Sequence, residues 1–142
     1  MGEEEALGAM QRVAAEAERA GEIVRKMRGF VRGEESQIGA VDTAFLVAEV
    51  LRLAGPEARQ SQVALETDCP TPAPQVLADS IQIQQVLLNL VRNAVEAINS
   101  AECEERRVRI RTRADGEGGV EITVSDTGPG LDAEGLEKVT RP

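Results

Sequence analysis

The sequence predicts an α+β fold: a two-layer sandwich with helices on one face of a mixed sheet, preceded by one long helix. Three observations carry this. Apolar residues recur at alternating steps of three and four from Met10 to Val31, two further apolar helical segments lie between short period-two runs, and two such runs flank a glycine-rich turn near the end. With 142 residues, of which 42% are hydrophobic, the chain has material for one compact domain plus an appended helix.

The first helix carries Met10, Val13, Ala17, Ala20, Val24, Met27 and Val31, a heptad seam with charged residues between its members. Such a seam belongs in a coiled coil or antiparallel bundle, and Ala17, Ala20 and Gly21 supply little burial, so the helix is expected to need a second copy. Gly33 is expected to end it. After an extended piece around residues 37–41, Asp42 is placed to cap a helix bearing Phe45, Leu46, Val50, Leu51 and Leu53, with Gly55 and Pro56 expected to interrupt it.

Residues 63–67 alternate as a strand, Pro70, Pro72 and Pro74 impose an irregular connection, and residues 76–78 form a short strand. Asp79 caps the longest apolar helix, running from Ser80 to about Ser100, with Gln82 placed as in a capping box. Val108, Ile110, Thr112 and Val120, Ile122, Val124 then alternate on either side of residues 115–119, the pattern of a hairpin.

Composition excludes several functions. The 16 basic against 25 acidic side chains give a net charge of −9, which opposes a nucleic-acid backbone or an anionic membrane as direct partner. Phe30 and Phe45 are the whole aromatic content, so platforms for base stacking are lacking. With no His and two Cys far apart at 69 and 103, neither a zinc site nor His-based catalysis has its ligands. No apolar run approaches a bilayer's thickness and the acidic start is unlike a signal peptide, so a cytoplasmic location is expected.

Two features need a chemical explanation. On the helix from Asp79, apolar over most of its circumference and expected to be buried, Gln82, Gln85, Asn89, Asn93 and Glu96 recur along one stripe. Amides pressed against an apolar core cost about 1–3 kcal/mol each unless hydrogen-bonded, so the stripe must face solvent or a polar cavity. Directly after the last strand comes Asp126-Thr127-Gly128-Pro129-Gly130, where the glycines allow a ligand close to the backbone and Pro129 stiffens the segment. Taken singly, a solvated face and an ordinary tight turn explain them as well.

Taken together they resemble a known family. The segment from Gln85 to Ala97, reading QVLLNLVRNAVEA, resembles the N box of the GHKL ATPase superfamily, and residues 126–130 resemble its G1 box, in the right order and separated by a hairpin. The stretch from Arg19 to Val31 resembles the second helix of the dimerisation and phosphotransfer domain of two-component sensor histidine kinases. The resemblance implies a partial Bergerat fold, with a dimerisation helix at 1–34 and the first part of an ATP-binding domain at 35–142.

It also implies ATP and Mg²⁺ as cofactors. Asp126 would accept a hydrogen bond from the adenine amino group, Gly128 and Gly130 would let the backbone approach the base and hinge a lid, Asn93 would help hold Mg²⁺, and Asn89 would add polar contacts. Arg92 and Glu96 remain candidates without a role. The hydrolytic branches of the superfamily usually carry a Glu where this chain has Asn89; an amide cannot deprotonate water, so the resemblance favours phosphoryl transfer over ATP hydrolysis.

The implied function is that of a sensor histidine kinase passing the ATP γ-phosphoryl to a His outside this chain, with a response regulator receiver domain as downstream partner and a homodimer through the first helix. A non-catalytic dimerisation or regulatory module derived from such a kinase is the alternative. The family's F and G2 boxes are not found after Gly130, so the chain is expected to be truncated before them and, with no phosphoacceptor and no catalytic residue assigned, inactive alone.

Overall fold

The computed structural model describes residues 2–31 and 37–140. Two compact units result, Met1–Ser36 and Gln37–Pro142. The boundary expected between 34 and 35 lies outside the described residues, as does Gly33.

The first unit is helix α1, Glu3–Val31. Its seam positions Met10, Val13 and Val24 are 70%, 69% and 54% exposed, and Ala17 and Ala20 are exposed too.

The second unit runs β1 (Ile38–Asp42), α2 (Thr43–Gln60), β2 (Ala64–Asp68), β3 (Gln75–Asp79), α3 (Ser80–Asn99), β4 (Arg107–Ala114), β5 (Val120–Asp126) and α4 (Ala133–Thr140). Its strands form two sheets. β1 pairs antiparallel with β3, Val41 opposite Val76, while β4 is the centre of a three-stranded sheet, parallel to β2 and antiparallel to β5. The expected hairpin is β4–β5, closed by Asp115, whose carboxylate accepts from the Glu117 and Gly119 N–H groups.

One core joins the layers. Leu46, Val47, Val50, Ala54 and Ala58 of α2 and Leu87, Val91, Ala94, Val95 and Ile98 of α3 pack with Val108 and Ile110 of β4. Asp42 caps α2 as expected, accepting from the Phe45 N–H at 3.0 Å. Asp79 caps α3 through the Ile81 and Gln82 N–H groups, and it also accepts from the Gln37 N–H, which ties the start of β1 to the same cap.

Two expectations fail here, and one element is new. Gly55 and Pro56 do not interrupt α2, which continues to Gln60. Gly55, Ala54 and Ala58 are buried while Pro56 is exposed, so core burial carries the helix through a residue that costs about 3 kcal/mol inside one. Helix α3 is not buried over most of its circumference, for Ile81, Val86 and Leu90 are 57%, 56% and 44% exposed. Helix α4 has no counterpart in the sequence reading. Among the described residues no helix is long and apolar enough to cross a membrane.

Candidate functional site

The polar stripe of α3 faces solvent: Gln82, Gln85, Asn89, Asn93 and Glu96 are all exposed. The flanks on either side of it differ. Toward α2, Arg92 Nε donates to Glu57 Oε2 at 3.2 Å and Asn99 Nδ2 donates to Ser61 Oγ at 2.9 Å. Arg92 therefore has a structural partner, an exposed bridge worth little by itself.

The other flank meets the turn after β5. Gly128 lies so close to α3 that a Cβ on it would stand 3.3 Å from Ala97 Cβ and 3.4 Å from the Ala97 carbonyl carbon. Asn93 precedes Ala97 by four residues, hence by one helical turn on the same flank. The fold thus brings the Asp126–Gly130 turn and the Asn93 flank to one edge, where the exposed Val86 and Leu90 extend the surface toward the start of α3. Asn89 lies on the crest between the two flanks.

Within the turn, Asp126 is the last residue of β5, paired with Val108. Its Oδ1 accepts from the Gly128 N–H at 2.8 Å, which leaves Oδ2 without a protein donor among the described residues. A Cβ at Gly128 would also stand 2.8 Å from that Oδ1, so a larger residue would have to displace the carboxylate and press on Ala97. Position 130 favours glycine for a different reason, the Gly130 φ of +74°.

Thr127 and Arg106 escaped the sequence reading. Thr127 bonds back to Glu105 and Arg107, and Arg106 reaches the ends of both α2 and α3. Thr127 meets its partners across 20 and 22 residues and Arg106 meets Ser61 across 45, and no local pattern announces such pairings.

Charge on the unit is organised across β2 and β4. Glu66 pairs with Arg107 and Arg109, and Asp68 with Arg111 and Arg113. The Arg109 hydrogen bond holds the Glu66 carboxyl below its ordinary pKa, and Arg113 does the same for Asp68.

Among the described residues no group of three or more His, Cys, Asp or Glu converges on a point. A single exposed amide oxygen such as that of Asn93 suits Mg²⁺ that draws its other ligands from phosphates and water. Asp126 Oδ2, beside a glycine backbone, suits a hydrogen-bond donor such as an amino group.

An Asn-bearing helix flanked by a D-x-G-x-G turn, over a sandwich with a mixed sheet, is the arrangement that the resemblance to the GHKL ATPases implies. Residues 78–142 match the family "Histidine kinase-, DNA gyrase B-, and HSP90-like ATPase". Sensor protein FixL of Bradyrhizobium diazoefficiens is 42% identical over 87% of this chain, and the C4-dicarboxylate transport sensor protein DctS of Rhodobacter capsulatus is 37% identical over 87%. The chain spans 24% and 19% of those proteins' lengths.

Among solved structures, the catalytic domain of histidine kinase ThkA aligns with a TM-score of 0.62 at 27% identity, covering 75% of this chain and 69% of that one. Full-length ShkA, solved in complex with AMPPNP, aligns with a TM-score of 0.61 at 30% identity over 70% of this chain and 20% of its own. ThkA in complex with its response regulator TrrA shares the fold over 98% of this chain and 40% of its own, with a TM-score of 0.76 at 24% identity. Residues 78–142 thus form a GHKL-type ATPase segment, and the chain as a whole is similar to sensor histidine kinases.

Proposed function

We propose that this chain carries the ATP-binding side of a sensor histidine kinase catalytic domain, which transfers the γ-phosphoryl group of ATP to a His outside it. The observation that carries the reading is the contact of Gly128 with Ala97, because it puts Asp126 and Asn93 along one edge of the same helix. Asp126 Oδ2 accepts from the adenine amino group; guanine offers an oxygen there and is rejected. Gly128 and Gly130 let the base approach, and Asn93 supplies an oxygen to Mg²⁺, which neutralises phosphate charge when bound. Asn89 adds a polar contact and has no basicity to activate water, consistent with transfer rather than hydrolysis.

The exposed seam of α1 suits pairing with the same seam of a second copy, giving the homodimer of a dimerisation and phosphotransfer helix. A receiver domain is the downstream partner, and the cytoplasm, where ATP is held, the compartment. The likeness to sensor proteins supports the receiver-domain partner.

Calorimetry with adenosine, ATP and MgATP on the full chain tests the site. In Asp126→Asn the Gly128 N–H keeps the side-chain oxygen, so the new NH₂ faces the adenine amino group and adenosine binding is lost. Asn93→Ala weakens MgATP and leaves adenosine unaffected. Binding that survives Asp126→Asn places the nucleotide elsewhere.

A further inference from the structure

The placement of Asp126 is not set within its own turn. The bond from the Gly128 N–H to Oδ1 shapes the turn locally, but does not say where it sits against α3. Thr127 does. Its hydroxyl donates to the Glu105 carbonyl at 2.7 Å and accepts from the Arg107 N–H at 2.9 Å, and its own N–H donates to the Arg107 carbonyl at 3.1 Å.

The segment so gripped is itself anchored to the helices. Between those two residues, the Arg106 guanidinium donates to the Ser61 carbonyl beyond α2 at 2.9 Å, to the Ile98 carbonyl in the last turn of α3 at 3.3 Å, and to Asn99 Oδ1. A continuous line of hydrogen bonds therefore runs from the end of α3 through residues 105–107 to Thr127 and the neighbouring Asp126. A turn that only reversed the chain needs none of it.

We propose that Thr127 is a positioning residue of the nucleotide site, holding Asp126 Oδ2 where it selects adenine. The proposal rests on the nucleotide reading above and adds a residue that does not itself touch the base. Valine at 127 keeps the shape and removes both hydroxyl bonds; serine keeps the bonds.

The test measures adenosine and inosine affinities by calorimetry on the full chain, because inosine carries an oxygen in place of the amino group. Thr127→Val lowers the adenosine-to-inosine preference roughly tenfold, the effect of one misplaced charge-assisted hydrogen bond, and Thr127→Ser restores it. A loss of folded protein lowers the fitted stoichiometry rather than either affinity, so the ratio is compared between variants that bind at the parent stoichiometry. A ratio unchanged in Thr127→Val overturns the proposal.

A second measurement separates this from failure of the nucleotide reading. The ¹⁵N–¹H signal of Gly128 reports the turn with no ligand present. Thr127→Val shifts it and speeds its hydrogen exchange, and Thr127→Ser does not; a Gly128 signal indifferent to valine overturns the proposal. If the parent chain binds no adenosine while Gly128 responds, the nucleotide reading falls and Thr127 is a holder of the turn alone, which overturns the proposal as well.

Discussion

The same substitution at two buried threonines should change stability in opposite directions. Thr43 and Thr112 are both fully buried, but Thr43 Oγ1 donates to the Pro74 carbonyl at 2.7 Å whereas Thr112 Oγ1 has no partner among the described residues. Burying a hydroxyl without a hydrogen bond costs about 1–3 kcal/mol. Valine at 112 replaces the hydroxyl by a methyl of similar size, keeps the β-branched side chain that suits a strand, and faces the same side of β4 as buried Val108 and Ile110. It should therefore stabilise the unit by about 1–2 kcal/mol. Thr43→Val loses its bond while the Pro74 carbonyl keeps the Thr43 N–H at 3.3 Å, so the cost is about 1 kcal/mol. Urea unfolding followed by circular dichroism reads both. With a slope of about 1–2 kcal/mol per molar, the midpoint rises by roughly 0.5–2 M for Thr112→Val and falls for Thr43→Val. A midpoint that falls for Thr112→Val as well would mean its hydroxyl is satisfied, and the accounting would be wrong.

Three further outcomes follow from the same contacts. Arg106→Met keeps the aliphatic stem but removes the charged donors to the Ser61 and Ile98 carbonyls, so the urea midpoint should drop by the equivalent of about 2–3 kcal/mol, and a change under about 0.5 kcal/mol would deny the clamp. Glu66 and Asp68 have pKa values lowered by Arg109 and Arg113, so their contribution is complete above the ordinary carboxylate range near pH ~4 and is lost as pH falls through the folded-state values; the melting-temperature difference between the parent chain and Glu66→Gln/Asp68→Asn should be constant from neutral pH to about 5 and vanish in stronger acid. On α1, Val24→Asp puts a charge into the seam and should turn a dimer into a monomer by light scattering; a mass that is monomeric before and after would leave the seam a surface feature.

What the sequence made legible was whatever its local chemistry determines. Asp42 and Asp79 cap because a carboxylate three residues from an N–H is a local relation, and the β4–β5 hairpin follows from alternation around a glycine-rich turn. The break expected at Gly55 and Pro56 was a local inference overruled by a distant partner, since Ala54 and Ala58 face the core that α3 completes. The pairing of β1 with β3 across α2 leaves no trace in either strand alone. The candidate site divides along the same line. Asp126, Gly128 and Asn93 stand out because their residue types are costly or unusual where they occur, an exposed amide stripe on an apolar helix and glycines beside a strand end. Thr127 and Arg106 are unremarkable in type, and their bonds to the Glu105 and Ser61 carbonyls span 22 and 45 residues, so only the fold identifies them. If the ligand touches the first group and the second group decides where the first group stands, substitutions at Thr127 should alter selectivity for the base, while substitutions at Asp126 should remove binding of it.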